Sequence, residues 1–256
     1  MPDLSQLSIF FLVFLRALAF LVSGPLLSFG GIPAFFKIGF SLALTVVTYP
    51  LVTPDNLAGV PGDAWGYGLA VVSETAFGLL LGTAVTIILN SIRMAGQFID
   101  IQIGYSMANL VDPVNNVQNT LLAQYLYLLA LVFWFLLDGH YTLIMGLAGS
   151  YQIVPISAAS INGGVVYTLI KIFSGAFTIG LKVSAPILAV LLMCDLTLGF
   201  LARTTPQINV FITGFPIKIA AGLLTLSLLI PLLGAMLRFL FSTIEKDLYT
   251  LMKAQL

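Results

Sequence analysis

Charged residues are scarce in this chain of 256 residues: Asp, Glu, Lys and Arg together make up 8% of it, whereas hydrophobic residues make up 59%. So few charges leave too little polar surface to cover a soluble globule. The mean hydropathy of +1.08 agrees with this. The ten acids and ten bases balance and form no dense basic cluster, which argues against nucleic acid as a partner. The composition therefore predicts an integral membrane protein.

The sequence also has only one cysteine, Cys194, and one histidine, His140. One cysteine excludes an intrachain disulfide, and these two residues alone cannot form a Cys and His metal site. No GxSxG, HExxH or GxxxxGK[ST] motif occurs, so the sequence indicates neither a hydrolase nucleophile, nor a zinc protease helix, nor a phosphate-binding loop. We therefore predict that the protein is not an enzyme and has no cofactor. His140 follows a turn-forming Asp-Gly pair and is interpreted as a turn residue.

Apolar runs recur along the chain, and several reach the roughly 20 residues that a helix needs to cross a hydrocarbon core. Pro186 and Pro231 lie in the two longest runs and are expected to kink or break them. Basic flanks on both sides of residues 210–241 predict that this run leaves and re-enters the cytoplasmic side as a hairpin. The predicted fold is a single all-α membrane domain, residues 1–256, of broken helical hairpins. The apolar runs lie at 7–27, 35–52, 67–92, 121–137, 141–154, 165–201 and 210–241.

Glu74 lies inside an apolar run, where an unshielded charge costs at least roughly 2.5–3.5 kcal/mol. Every fourth residue from 70 to 90 is small or polar, a stripe that allows another helix to approach closely. We predict that Glu74, Gly78 and Gly82 form a helix-contact and assembly face, with Val85 turned toward lipid. A proton-carrying carboxylate at Glu74 is the functional alternative, although no second acid stands at a spacing that forms a clear relay.

Lys171 and Lys182 share one side of a predicted helix with Gly175 and Thr178, about three turns apart. Their side chains either line a wet surface or meet acids of a neighbouring subunit, which makes both lysines candidates for assembly contacts. Charged side chains that meet lipid without a partner are costly, so we expect the chain to be unstable alone. The charges concerned are Glu74, Arg93, Lys171, Lys182 and Asp195.

Three polar residues, Arg93, Gln97 and Asp100, share one face of the helix predicted at residues 91–103. This face makes the helix amphipathic rather than uniformly lipid-facing. Two interpretations stay open: the face lines a pore or a subunit contact, or its charges pair locally.

The segment GYSMANLVDPVNNVQNT, residues 104–120, interrupts the helices predicted at 91–103 and 121–137. A non-helical backbone cannot lie against lipid with its polar groups unsatisfied, so the segment must face water or line a cavity. An exposed connection is the ordinary alternative. The hydrophobic residues Met107, Leu110 and Val111 favour a loop that folds back inward.

Four blocks of sequence stand out from the apolar background. They read LSFGGIPAFFKIGFSLALT at 27–45, FIDIQIGYSMANLVDPVNNVQ at 98–118, DGHYTL at 138–143 and LARTTPQINVFITGFPIKI at 201–219. In this order, over nearly the whole chain, they resemble the FliR family of flagellar type III export-gate proteins, which is related to the injectisome SctT proteins. PQINVF and GFPIK are more similar to the flagellar branch. The resemblance implies a structural role for the motif residues Asp138, Gly139, His140, Pro206, Gln207, Asn209, Phe211, Gly214, Phe215, Pro216 and Lys218.

The resemblance further implies a subunit of the export gate in the bacterial inner membrane, at the flagellar basal body. There it would form a larger hetero-oligomeric helical assembly with FliP and FliQ proteins and further export proteins, through which unfolded substrates pass. It implies a FliP-like part at about residues 1–200 and a FliQ-like hairpin part at about 201–256. The family's counterpart of residues 104–120 plugs the pore, which implies a gating role for Met107, Asn109, Leu110, Asp112, Pro113, Asn115 and Asn116.

A stand-alone secondary transporter or channel is the second hypothesis. Its coupling or substrate residues would be Glu74, Lys171, Lys182 and Asp195. Purification in mild detergent separates the two hypotheses, because a gate subunit should copurify with two other small membrane proteins. An intramembrane enzyme is third, and the missing nucleophile and metal residues argue against it.

Overall fold

The computed structural model describes residues 4–27, 31–52, 61, 63–105, 121–160, 162–205, 207 and 209–255. Within these ranges the chain forms α-helices and one short 3-10 turn at Tyr49–Leu51, and no strand. The prediction of an all-α membrane protein is confirmed. The helices are α1 (Leu4–Ser23), α2 (Ala34–Thr48), α3 (Ala64–Ile103), α4 (Leu121–Leu136), α5 (Gly139–Ile153), α6 (Gly163–Thr204) and α7 (Val210–Lys253).

Five of the described helices are long and apolar enough to cross a membrane, with α2 counted together with the 3-10 turn. The shorter helices α4 and α5, separated by a break at residues 137 and 138, count as a sixth span if they are taken together. Helices α3, α6 and α7 have 40, 42 and 44 residues. At 1.5 Å per residue each is about 60 Å long or more, roughly twice the thickness of a hydrocarbon core.

The hairpin expected at residues 210–241 is wrong, because α7 is one continuous helix that contains both Pro216 and Pro231. Pro186 likewise lies inside α6 without ending it. A proline removes one backbone hydrogen bond, but in membrane helices neighbouring groups readily compensate for this loss. The chain reverses between α6 and α7, where the side-chain oxygen of Asn209 accepts a hydrogen bond from the N–H of Ile212 at 3.4 Å and begins α7.

The chain forms two compact units. The first unit comprises Met1–Ile88, Asp138–Phe173 and Phe241–Leu256, and the second comprises Leu89–Leu137 and Ser174–Leu240. Helices α3, α6 and α7 each contribute residues to both.

In the first unit, α1 packs against α3 at the glycine stripe. A Cβ added to Gly78 would lie 2.5 Å from the carbonyl oxygen of Arg16, and one added to Gly82 would collide with Ser23. The hydroxyl of Thr86 donates to the carbonyl of Ser23 at 2.7 Å. The stripe is therefore in contact with a helix of the same chain. Val85 beside it is fully buried, so the expectation that it faces lipid is wrong.

In the second unit, glycines again mark where helices approach each other. A Cβ on Gly180 of α6 would lie 3.0 Å from the carbonyl oxygen of Ser91 on α3. The rings of Phe98 and Phe177 meet edge-to-face with centroids 5.9 Å apart across the same pair of helices. Helix α7 joins them at Gly222, where an added Cβ would lie 2.7 Å from the side chain of Ile103.

We predict that Gly82→Leu separates α1 from α3 and lowers the stability of the protein in mild detergent. Overpacking a tight contact typically costs about 1–3 kcal/mol, and here the backbone of Phe20 stands in the way as well as a side chain. Gly68→Leu on the same helix is the matched control, since an added Cβ there meets nothing within 4 Å. The measurement is the midpoint of thermal unfolding; equal midpoints for the two variants would contradict the prediction.

Candidate functional site

The first unit is organised around an ion pair between Arg16 of α1 and Glu74 of α3. Nε donates to Oε2 at 2.6 Å and Nη2 donates to Oε1 at 3.0 Å, so the guanidinium binds the carboxylate through two parallel hydrogen bonds. Both side chains are 0% exposed. Two opposite charges in this geometry stabilise each other, whereas either alone would be a buried unpaired charge in an apolar protein.

The same ion pair also binds the end of α5. Nη1 of Arg16 donates to the carbonyl oxygens of Ser150 at 3.0 Å and Val154 at 3.1 Å. The last carbonyls of a helix have no partner within that helix, and a cation at this end is electrostatically favoured. Beyond the helix, the N–H of Ser157 donates to Oε1 of Glu74 at 2.8 Å, and Ser157 has a φ of 69°. The pair therefore ties together α1, α3 and the end of α5.

Two aromatic rings enclose the guanidinium of Arg16. Its central carbon lies 4.8 Å from the ring centroids of both Phe77 and Tyr151. Such cation–π contacts strengthen when they are shielded from water. The hydroxyl of Tyr151 donates to the carbonyl of Val13 at 2.9 Å, so this ring is held in turn by α1.

Arg16 was missed as the partner of Glu74 when the sequence was interpreted. The available signal was its position: Arg16 lies within the described helix Leu4–Ser23, which is otherwise almost entirely apolar. A cation in one apolar helix and an acid in another are natural partners, because each is costly alone in lipid. On this ground Arg16 is the first candidate partner of Glu74, ahead of any residue of another subunit.

In the second unit, Asp100 joins the two helices that flank residues 106–120. Its carboxylate accepts hydrogen bonds from the N–H groups of Leu122 at 3.3 Å and Ala123 at 3.0 Å, in the first turn of α4. Asp100 is fully buried. These are N–H groups that the start of a helix leaves without an intrahelical partner, and a carboxylate satisfies them well. The segment between the helices therefore leaves and returns at one place.

Further contacts hold the two helices together at this base. An added Cβ on Gly96 would collide with the backbone of Ala123, and the guanidinium of Arg93 lies 4.0 Å from the ring centroid of Tyr127. Arg93 and Asp100 each contact α4 of the same chain, and both interpretations of their face stay open. Gln97 is exposed.

Helix α3 ends at a glycine that a larger residue could not replace. Gly104 has a φ of 99°, which favours glycine, and its N–H donates to the carbonyl of Asp100 at 3.1 Å. A Cβ there would lie 2.9 Å from the ring of Phe215. Residues of two separate sequence blocks, 98–118 and 201–219, thus meet at the base of the segment.

A polar cluster on three helices links the same two blocks. Asp195 of α6 accepts a hydrogen bond from the amide of Gln102 on α3 at 2.8 Å, and its other oxygen lies 2.8 Å from Nζ of Lys218 on α7. Lys218 is the last charged residue of the GFPIK stretch. The transporter hypothesis gave Asp195 a coupling role, but here both of its oxygens have partners within the chain.

The structure places the remaining sequence candidates as follows. Asp138 adopts the left-handed conformation, with a φ of 56°, at the break between α4 and α5. Gly139 and His140 are the first two residues of α5. His140, interpreted as a turn residue, therefore lies in the first turn of this helix, directly after the turn at residues 137 and 138. Lys171 and Lys182 are both exposed on α6.

The motif residues at the start of α7 and just before it differ in burial. Gly214 is buried, and an added Cβ would lie 2.9 Å from the side chain of Leu198. Gln207, Phe215 and Pro216 are exposed.

Several candidates lie outside the described residues. These are the gating residues Met107, Asn109, Leu110, Asp112, Pro113, Asn115 and Asn116, together with Pro206 and the side chain of Phe211. In the ranges that the structure does describe, no three potential metal-ligating side chains come together.

Long apolar helices whose buried charges are paired with one another define an all-helical integral membrane protein. A family model for "Bacterial export proteins, family 1" matches residues 7–244. The chain belongs to this family and, within it, to the FliR proteins.

Among its relatives, "Flagellar biosynthetic protein FliR" of Bacillus subtilis (strain 168) is 36% identical over 240 residues, which cover 92% of each chain. The FliR protein of Escherichia coli (strain K12) is 31% identical over 241 residues, covering 94% of this chain and 91% of its own. That of Pectobacterium carotovorum subsp. carotovorum is 32% identical over 235 residues, covering 92% and 89%.

We predict that Arg16→Met and Glu74→Gln each destabilise the protein by about 3–5 kcal/mol, because each leaves one buried charge without its partner. The double variant should lose clearly less than the sum, since it removes both charges. Unfolding free energies in mild detergent measure this, with Arg238→Met at an exposed position as the control. Strictly additive losses would show that the two side chains do not act as a pair.

We also predict that Asp100→Leu loosens the first turn of α4. Loss of a helix-capping acceptor costs about 0.5–2 kcal/mol, and Asp100→Asn, which keeps one acceptor oxygen, should lose less. Hydrogen–deuterium exchange of the peptide that contains Leu122 and Ala123 measures the effect. Gln97→Leu, on the same helix but exposed, is the control. Unchanged exchange in Asp100→Leu would rule out this capping role.

Proposed function

We propose that this chain is a non-enzymatic structural subunit of the export gate of the flagellar type III secretion apparatus, in the inner membrane at the basal body. It forms the protein-conducting channel with FliP-like and FliQ-like membrane subunits, and unfolded proteins pass through it. The observation that carries this proposal is the family match over residues 7–244, which contains almost all of the described helices. Membership of the family supports a place in an export apparatus, and the exact partners are part of the proposal.

In this proposal residues 104–120 close the resting channel. Asp100 supports the idea, because its bonds to Leu122 and Ala123 bring the two ends of the segment together on a fixed base. These bonds join the two helices directly, so a change in the residues between them can leave the helix contacts intact. Its hydrophobic residues Met107 and Leu110 suit the closure of a narrow wet channel, since an apolar constriction excludes water and ions.

The proposed FliQ-like part needs an earlier start than residue 201. That boundary falls inside α6 and leaves α7 as the single helix that follows it. Within the second unit α6 and α7 run antiparallel, as Asp195 meets Lys218 and Leu191 meets Gly222. A two-helix hairpin of this chain therefore consists of α6 and α7, and we propose that both belong to the FliQ-like part.

Some of the charges that were expected to meet partner subunits have contacts within the chain, and the expected instability of the isolated chain stays a prediction. Glu74, Arg93 and Asp195 were expected to require such subunits, but each has a partner within the chain. The same contacts favour a structural role for Glu74 and Asp195 over coupling in a transporter. Lys171 and Lys182 remain exposed and are proposed as assembly contacts.

The experiment is coexpression of this chain with FliP-like and FliQ-like subunits, followed by conductance measurements on the purified complex in a planar bilayer. Deletion of residues 110–116 should leave assembly intact and make the channel leaky to ions and small solutes, because the helices on either side keep their contacts. Leu110→Asp should give a milder leak, since it wets the constriction without removing it.

Deletion of residues 54–60, equally long and in another connection, is the control and should leave the conductance at the wild-type value. Failure of the wild-type chain to copurify with the two subunits would overturn the gate proposal. A complex that lacks residues 110–116, assembles normally and conducts no more than wild type would overturn the plug assignment alone.

A further inference from the structure

The second unit has more basic than acidic side chains, and its described acids are already engaged. Asp100 binds the start of α4, and Asp195 pairs with Lys218. The unit's remaining acid, Asp112, lies outside the described residues. Among the basic residues, Lys182, Arg203 and Arg238 are exposed and make no ion pair within the described part of the chain.

Lys182 also lines a pocket. The cavity has a volume of about 320 Å³ and lies between α3, α6 and α7 of the second unit. Its walls are apolar side chains such as Ile179, Val183, Met236 and Phe239, and Lys182 is the one charged residue in its lining. A single cation thus stands at the edge of an apolar recess of the size of a few side chains.

Lipid headgroups do not suit this position. Lys182 lies near the middle of α6, and exposed apolar residues flank it on both sides: Phe177 and Leu181 before it, Val190 and Leu192 after it. A lysine at headgroup level would have apolar neighbours on one side and polar ones on the other. Apolar surface on both sides indicates that a protein partner covers this region, because an unpaired cation in such surroundings costs several kcal/mol.

We propose that Lys182 and this pocket receive a helix of a neighbouring subunit that carries an aspartate or glutamate within an apolar stretch. The carboxylate lies beside the ammonium of Lys182, and apolar side chains next to it in the partner helix fill the recess. The idea rests on the proposed function in one respect, that the chain is a subunit of a larger complex. It adds the chemistry of the partner at this face.

The experiment is cross-linking in native membranes with a membrane-permeant carbodiimide. The reagent activates a carboxylate, the amine of Lys182 displaces the urea, and an amide bond remains with no added atoms, so only groups in direct contact react. Mass spectrometry should find Lys182 joined to an aspartate or glutamate of another chain. Lys182→Arg should still assemble but lose this cross-link, since a guanidinium does not react.

Copurification of the partner in mild detergent is the second measurement. Lys182→Met should reduce it about tenfold or more, the effect of a close charge pair worth at least about 1.5 kcal/mol. Lys182→Glu should reduce it further, because two carboxylates would face each other. Lys253→Met, an exposed lysine at the end of α7, is the control and should copurify as the wild type does.

The outcomes separate this inference from the proposed function. If the FliP-like and FliQ-like subunits copurify while Lys182 forms no cross-link and Lys182→Glu assembles normally, the inference is wrong and the gate proposal stands. If Lys182→Met keeps its subunits and loses bound anionic phospholipid, lipid is the occupant and the inference is also wrong. If Lys182 is cross-linked to an acid of another chain but the FliP-like and FliQ-like subunits fail to copurify, the inference holds and the gate proposal fails.

Discussion

The ion pair of Arg16 and Glu74 is the interaction on which the first unit depends. It joins α1 to α3, satisfies the last carbonyls of α5 and fixes the chain beyond that helix through Ser157. Close packing at Gly78 and Gly82 accompanies it, because glycines there allow the backbones of α1 and α3 to approach. In an apolar protein such a pair also determines which helices can be neighbours, since any other arrangement would leave a charge unpaired.

The second unit satisfies its polar and charged side chains both at helix ends and through a side-chain ion pair. Asp100 neutralises the start of α4, Gly104 ends α3, and Asp195 collects Gln102 and Lys218. All of these groups surround the place where residues 106–120 leave and return. These contacts fix the positions of the two helix ends that flank the segment.

The sequence alone predicted much of the fold and part of the site. The long apolar runs predicted the all-α class. The polar composition of residues 104–120 predicted the last residue of α3 and the first residue of α4 within a residue or two. The four-residue period identified the glycine stripe but not the helix that packs on it. Periodicity shows which residues share a face and gives no information about what covers that face. For this reason Arg16 and the burial of Val85 were missed. The continuous α7 was missed because proline's cost in a helix depends on neighbours that no local pattern records.

The division into two units has a consequence for biosynthesis. The first unit includes residues from both ends of the described chain: Gly146 packs against Leu248 of α7, and Gly164 packs against Ala254, which follows this helix. Helices α1, α3 and α5 of this unit can pack against one another once α5 has been synthesised. The unit is nevertheless incomplete until residues 241–255 leave the ribosome. Between these two moments α5 lacks a neighbour along one side. Membrane chaperones and quality-control proteases therefore have a defined period in which to recognise the unfinished chain, and its length scales with the synthesis time of about one hundred residues.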